Sequence, residues 1–347
     1  MLAAAYSNYL LHFKVPSGTS RGILTDKETF FIRVWEEARP ERAGWGECAL
    51  FRGLSAEDAP DYEEKLRQVC RDIGRLRVEE LEDWSSIRFG VEMALADLRN
   101  GGKGIYFPSA FTEGKRKIEI NGLIWMGDRH TMMRRIEEKL QAGFRCIKLK
   151  IGAIDFEAEL ALLAFIRKKY DRGKIELRVD ANGAFSPQEA LRYLRALSVY
   201  DLHSIEQPLR AGQWGETAAL CRESPVPIAL DEELIGVNGL AGKKALLDTI
   251  RPAFVVLKPA LAGGFGGAEE WIRLCRERNI GWWVTSALES NIGLNALAQW
   301  TATLNNSMPQ GLGTGELYTN NIPVSLCREG RYLYLDPEAE REIILKR

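Results

Sequence analysis

Seven short apolar runs recur through the second half of the chain, at residues 122–125, 146–151, 175–179, 202–205, 226–230, 254–257 and 281–285. Each is too short for a helix buried on all sides, and each lacks the polar alternation of a strand with one wet face. Amphipathic stretches separate them, for example residues 131–142, 156–170, 186–197 and 267–278. Strands buried on both faces and alternating with helices define an α/β chain with a parallel sheet. Seven runs, with residues 311–315 as a degraded eighth, favour a closed (β/α)8-type barrel over an open doubly wound sheet. One helix start is explicit: Ser186, Pro187 and Glu189 form a capping box with proline at the first helical position.

The first hundred residues have a different texture and read as α+β. Residues 6–15, 29–38 and 44–50 are candidate strands, and residues 16–26 form a polar loop between the first two. Residues 55–75 have helical spacing through Ala59, Tyr62, Leu66 and Val69, and residues 89–98 form a second helix stopped by Asn100 and the glycines after it. The glycine-rich segment 101–117 is the candidate linker. The expected division is a capping domain over 1–115 and a barrel over 116–317, with 318–347 returning to pack on the capping domain. At 347 residues the chain accommodates both.

Forty-seven basic and 48 acidic residues leave a net charge of -1, with no electrostatic footprint for nucleic acid or an anionic membrane. The N-terminal residues lack the basic start of a signal peptide, and no run approaches a bilayer span. Six scattered cysteines and three distant histidines argue for free thiols and against a zinc site, as expected of a cytoplasmic protein. The expected partner is a small-molecule carboxylate; monomer and homo-oligomer both stay open.

Charged residues stand where the apolar runs end: Lys148 and Lys150, then Asp180, Glu206, Asp231 and Lys258. From Lys150 onward the intervals are 30, 26, 25 and 27 residues, about one βα unit each. These are therefore successive strand tips sharing one mouth of the barrel, the end that carries catalytic groups in this architecture. The strand period of two puts Lys148 and Lys150 on one face and Leu149 on the other. A single aspartate or lysine at a βα turn is an ordinary salt-bridging residue, but five successive tips are not. Three converging carboxylates repel one another unless a cation neutralises them. An all-oxygen set of two Asp and one Glu suits Mg²⁺, with Mn²⁺ as a possible substitute. Such a centre flanked by lysines is equipped to remove the proton α to a carboxylate and to stabilise the enolate.

At these residues the sequence resembles the enolase superfamily, in its muconate lactonizing subgroup, which carries Lys-x-Lys and a second Lys. The resemblance covers essentially the whole chain. It implies a modified TIM barrel, (β/α)7β, with an N-terminal α+β capping domain. It assigns the metal to Asp180, Glu206 and Asp231, the acid/base lysines to Lys150 and Lys258, and a supporting role to Lys148. The segments 286–298 and 311–315 look most like the o-succinylbenzoate-forming branch of the subgroup, with related epimerases and N-acylamino acid racemases as the alternative. They imply substrate contacts at Ser286, Ser290, Gly313 and Thr314. The implied reaction is a syn elimination in which Lys150 removes the α-proton and Lys258 stabilises the enediolate. A non-catalytic binding barrel is the reading from outside this class.

The remaining features are weighed against blander roles. Asn182 and Gln207 follow two metal-ligand candidates and either orient them or satisfy turn backbone, while Glu232, beside Asp231, is read as a partner for a barrel-mouth lysine and not as a ligand. Residues 263–267, Gly-Gly-Phe-Gly-Gly, lack the Lys-Ser/Thr of a phosphate loop and are read as a βα loop giving close backbone access to the pocket. Trp282 and Trp283 are expected in the core. The loop at 16–26 is expected to close over the mouth and exclude water.

Overall fold

The computed structural model describes residues 1–19, 22–152 and 154–339. Strands β1 (Leu2–Thr19), β2 (Gly22–Glu36) and β3 (Arg39–Cys48) form an antiparallel sheet in that order. Helices α1 (Tyr62–Asp72) and α2 (Ser85–Arg99) cover one of its faces. The strand period divides β2 cleanly. Phe30, Ile32 and Val34 turn into a core with Tyr62, Leu66 and Val69 of α1 and Ile87, Val91 and Ala94 of α2. Phe31 turns the other way and joins the core of the barrel.

Three local expectations are corrected. Residues 16–26 are not a free loop: both arms of the β1–β2 hairpin run on as paired strands, with Ser17 opposite Leu24 and Gly18 opposite Ile23. Residues 20 and 21, at its tip, lie outside the described residues. The helix expected over 55–75 forms only at 62–72, because Ser55 and Asp58 are used in side-chain bonds to the turn at Phe51–Gly53. Nor is 101–117 a loose linker. Tyr106 and Phe111 are buried in the main core, and Gln299 accepts hydrogen bonds from the Tyr106 and Phe107 backbone.

After the short β4 (Ile118–Glu119), the βα units begin. Their strands are β5 (Gly122–Ile124), β6 (Cys146–Lys150), β7 (Glu176–Asp180), β8 (Ser204–Glu206), β9 (Ile228–Leu230), β10 (Phe254–Leu257) and β11 (Gly281–Val284). They form one parallel sheet in sequence order. The edges meet through single bridges, Gln310 to Ile120 and Gly311 to Thr285, so the eighth position is closed by one or two residues rather than by a strand. The helices α3 (Arg129–Gln141), α4 (Phe156–Lys169), α5 (Pro187–Leu197), α6 (Trp214–Glu223), α7 (Leu240–Ile250), α8 (Gly264–Glu277) and α9 (Asn291–Thr303) follow their strands in turn. The architecture is the capped TIM-barrel type expected from the sequence. At the start of α5 the Ser186 hydroxyl donates to the Glu189 carboxylate at 2.7 Å instead of accepting from the helix backbone.

From residue 317 the chain divides its contacts. Lys14 N–H donates to Leu317 O, and Thr319 N–H donates to His12 O, which ties this segment to β1. Further on, β12 (Leu326–Glu329) pairs with β13 (Tyr332–Leu335), and β13 pairs with β4, at the approach to the barrel. Residues 340–347 lie outside the described residues. Among the described residues no helix is long and apolar enough to cross a membrane. The six cysteines are all free, and burial pushes the Cys146 and Cys275 thiols up to about 12, far from the reactive range.

The capping unit is joined by direct backbone contact of β3 on α2. A Cβ on Gly46 would sit 1.9 Å from Gly90 O, and one on Gly90 would sit 2.5 Å from Cys48 Sγ. We predict that Gly46→Ala lowers the unfolding free energy by about 3 kcal/mol, measured by urea denaturation. Asp97 on α2 accepts from Trp45 N and Gly104 N, yet burial pushes its carboxyl up to about 6. The folded value lies above the unfolded one, so the folded state holds the proton longer and stability falls as pH rises from about 4 to 6. Asp97→Asn should flatten that part of the stability–pH curve.

Candidate active site

Parallel register sets the site. Lys150 lies beside Asp180, and Asp180 lies beside Glu206, in one line across β6, β7 and β8. Neighbouring strands are about 4.8 Å apart, so side chains in line on one face must interact. Asp231 follows β9 directly, and Lys258 follows β10. Lys148 and Lys150 share a face as their spacing requires, since both reach Asp180 Oδ2, at 2.9 and 2.6 Å. Lys148 also contacts Glu206 Oε2 at 2.5 Å, and Lys258 is paired with Asp231. Leu149 is buried in the core on the opposite side.

The electrostatics follow from burial and proximity. Burial pulls the Lys148 ammonium toward neutrality, but Asp180, Glu206 and Asp231 outweigh it and raise its pKa. Burial likewise opposes the charge on Lys258, and Asp231 with Glu232 holds that lysine protonated. For Asp180 burial works upward, while Lys148 and Lys150 carry the carboxyl well below the usual range. Glu206 has the reverse balance: burial, then repulsion from Asp180, raises it well above an ordinary carboxyl. Its Oε1 is buried with no hydrogen-bond partner.

Among the described residues no three acidic, imidazole or thiol side chains stand as a preassembled ligand cluster. Each carboxylate is turned toward a lysine. The donor chemistry nonetheless fits a hard divalent cation: three carboxylates on adjacent strand tips, one with an unused oxygen and raised by repulsion from the others. Asp180, Glu206 and Asp231 are the residues that would hold it.

Residues around this line have distinct tasks. Asn182, at φ 45°, accepts from Lys150 Nζ at 2.6 Å and donates to Glu232 Oε1 at 2.8 Å. Its side chain thus orients Lys150, and its backbone N–H donates to Asp180 Oδ1 at 3.1 Å. Gln207, at φ 40°, accepts from the backbone N–H groups of Asp231 and Glu233 and donates to Leu209 O and the Glu233 carboxylate. Its grip on Asp231 is through the main chain. Glu233, which sequence reasoning passed over, is buried and ties Gln207 to Gly212 N. A glutamate adjoining two other acids gave no signal of burial.

Beside Lys148 a small cavity is lined by Asn121, Leu123, Ser286, Leu288, Gly313 and Thr314. Ser290 is not part of this wall. It caps α9, and its hydroxyl donates to Glu47 on β3 at 2.6 Å. The hairpin reaches the same mouth, where Leu11, Phe13 and Leu24 pack with Leu288, Trp125 and Tyr318. The glycine loop at 263–267 receives the capping helix instead of a ligand: Glu92 of α2 accepts from Phe265 N, and a Cβ on Gly264 would lie 2.5 Å from that carboxylate. Trp282 and Trp283 are buried, as expected of core residues. A larger cleft of about 520 Å³ opens among Arg167, Arg172, Asp201 and His203 at the opposite end of the strands, away from the lysines and carboxylates.

Comparison with known proteins gives a consistent result. The family described as "Enolase C-terminal domain-like" matches residues 131–329. The o-succinylbenzoate synthase of Desulfotalea psychrophila is 48% identical, over 95% of this chain and 98% of that protein. The L-Ala-D/L-Glu epimerase of Bacillus subtilis is 25% identical, over 84% of this chain and 82% of its own length. The crystal structure of MenC from Desulfotalea psychrophila superposes with a TM-score of 0.85 at 44% identity, covering 96% of this chain and 99% of that one.

Lys148 is the ammonium shared by two buried carboxylates. Lys148→Met should therefore destabilise the metal-free protein by about 3–5 kcal/mol, the usual cost of leaving a buried charge unpaired. Urea unfolding in the presence of a chelator measures it.

Proposed function

The chain belongs to the enolase superfamily, in its muconate lactonizing branch, and from that membership we propose that this enzyme is a lyase forming o-succinylbenzoate. The substrate is 2-succinyl-6-hydroxy-2,4-cyclohexadiene-1-carboxylate, dehydrated as a step of menaquinone synthesis. The observation that carries the reading is the pairing of Lys148 and Lys150 on one strand face with Asp180 and Glu206, opposite a Lys258 held cationic by Asp231. The 48% identical synthase supports the choice of substrate.

A Mg²⁺ held by Asp180, Glu206 and Asp231 would chelate the substrate carboxylate and stabilise charge developing on it, with Mn²⁺ as a possible substitute. Lys150, released from Asp180 and having given its ammonium proton to solvent, takes the proton from the ring carbon bearing the carboxylate as a neutral amine. The electron pair of that C–H bond moves into the carboxylate to give an enediolate. Lys258 stays protonated and faces this charge. Lys150, now an ammonium, returns its proton to the C6 oxygen on the same face of the ring. The C6–O bond breaks, water leaves, and the ring becomes aromatic. Asn182, bonded to Lys150 Nζ, fixes the direction from which that amine acts. Lys148 bridges Asp180 and Glu206 and holds Asp180 ionised.

A second reading, an epimerase or N-acylamino acid racemase, is favoured by the two lysines approaching from different strands and by the epimerase relative. An epimerase needs proton transfer at Lys258, whereas the dehydratase needs only its charge. Lys258→Arg separates them, since it preserves charge and removes a transferable proton.

The test is incubation with the cyclohexadiene carboxylate and Mg²⁺, following appearance of the aromatic product. Lys150→Ala should lower kcat by about 10²–10⁴-fold, and chelation should abolish turnover. Absence of product, with α-proton exchange on a dipeptide or N-acylamino acid instead, would move the assignment to the epimerase reading. Turnover surviving in Lys150→Ala would remove the mechanism.

A further inference from the structure

The seam at the eighth position of the barrel carries two polar side chains that the chemistry above does not use. Val284 lies beside Leu257, so one residue on Thr285 comes beside Lys258. Parallel bridges then run from Thr285 to Gly311 and from Ile120 to Gln310, which brings Asn121 beside Gly311. Thr285, Gly311 and Asn121 thus carry the line of strand tips from Lys258 round to β5. All three line the cavity beside Lys148. Gly311 is required there, since a Cβ would lie 2.3 Å from Thr285 Oγ1. Its missing side chain leaves the space between Thr285 and Asn121.

The polar groups of this cavity divide into those already bonded and those that are not. Ser286 gives its hydroxyl proton to Glu289 and accepts from Leu288 N at 3.0 Å and from Thr314 Oγ1 at 2.9 Å. Both hydroxyl protons of that wall are spent within the protein. Lys148 is shared by Asp180 and Glu206. The Thr285 hydroxyl, by contrast, is buried with no hydrogen-bond partner. Asn121 is 4% exposed, with its backbone N–H on Gln310 O at 2.9 Å. Among the described residues its side-chain amide bonds to nothing. A buried polar group without a partner weakens the fold. Two of them on one cavity, next to the catalytic line, are set toward a ligand.

Their chemistry defines what they take. Neither carries charge, and Lys148 is already matched by two carboxylates, so an anionic oxygen would stand uncompensated here. Both the amide and the hydroxyl donate, from opposite sides of Gly311, which suits the two lone pairs of a carbonyl oxygen. Leu123 and Leu288 supply apolar wall for the carbon atoms next to it. We propose that Asn121 and Thr285 are specificity residues that hydrogen-bond a neutral carbonyl oxygen on the side arm of the substrate. In the cyclohexadiene carboxylate this is the succinyl ketone, whose carbon is one atom away from the ring carbon that loses its proton. An N-acylamino acid carries its acyl carbonyl at the same remove from the α-carbon. The subsite therefore selects acyl-bearing carboxylates over simple ones.

The inference rests on the reading of this mouth as the site of that reaction, and its test separates the two. The probes are o-succinylbenzoate, which has the ketone, and 2-(3-carboxypropyl)benzoate, in which a methylene replaces it. Calorimetric titration of the Mg²⁺-loaded native enzyme should give a Kd about tenfold lower for the ketone. T285V and N121L should each remove most of that preference by weakening the ketone alone, while T285S retains it. Equal weakening of both probes, or no native preference, overturns the proposal even where the dehydration is established. Where N121L does not fold, T285V against T285S decides. If the native enzyme binds neither probe, the dehydratase reading falls and α-proton exchange on an N-acylamino acid is measured instead. T285V should then raise KM about tenfold with kcat nearly unchanged. An unchanged KM overturns the proposal, and absence of exchange overturns both. The urea midpoint of T285V, read without any ligand, should equal or exceed the native one, because no bond within the protein is lost. A lowered midpoint would mean that the hydroxyl serves the fold and would overturn the assignment.

Discussion

Three carboxylates and three ammonium groups meet at the tips of β6 to β10 with almost no water around them. Charges buried in this way persist only when each has a counter-charge within reach, and here each does. That compensation fixes everything near the mouth. It keeps Asp180 ionised, holds Lys258 protonated and leaves Glu206 as the member with an unused oxygen. A bound divalent cation would be held by Asp180, Glu206 and Asp231, and Lys150 and Lys258 would then be released from these carboxylates to act on substrate.

The central line of the site was legible because it is local. Strand period put Lys148 and Lys150 on one face, and intervals of one βα unit put Asp180, Glu206, Asp231 and Lys258 on successive tips. Neither inference needs knowledge of what lies across the molecule. The parts that escaped depend on partners far away in sequence. Ser290 reads as a pocket serine until Glu47, 243 residues earlier, claims its hydroxyl and backbone. The glycine-rich loop at 263–267 reads as a βα loop open to the pocket until Glu92, 173 residues earlier, occupies its amides. Segment 101–117 reads as a linker because its glycines are visible while the Gln299 that fastens it is not.

Those distant partners have a common purpose. Glu47 on β3 and Glu92 on α2 each place a carboxylate at the start of a barrel helix, α9 and α8, where free N–H groups and the helix dipole favour negative charge. Two such contacts, made from neighbouring elements of the cap, restrict both its position and its rotation. The close packing of Gly46 on Gly90 makes β3 and α2 one rigid body. The β1–β2 hairpin, an extension of the same sheet, is delivered to the mouth against Leu288 and Trp125 and is tied there by backbone hydrogen bonds to residues 317–319.

This division of labour explains why the specificity wall is assembled from both units. Strand tips are well suited to the chemical step, since their geometry is set by the sheet and cannot drift. They offer little freedom to tell one substrate from another. The wall formed by Ser286 and Thr314 is different, because it is a chain of side-chain hydrogen bonds ending on the buried Glu289. Leu288, in the turn that carries Ser286 and Glu289, packs with Leu11, Phe13 and Leu24 of the hairpin, so changes in the hairpin can alter the shape of this wall. The lysine and carboxylate line at the tips is left untouched by such changes. A fold whose relatives include both a dehydratase and an epimerase needs that separation, since proton abstraction is shared between them and the remainder of the substrate is not.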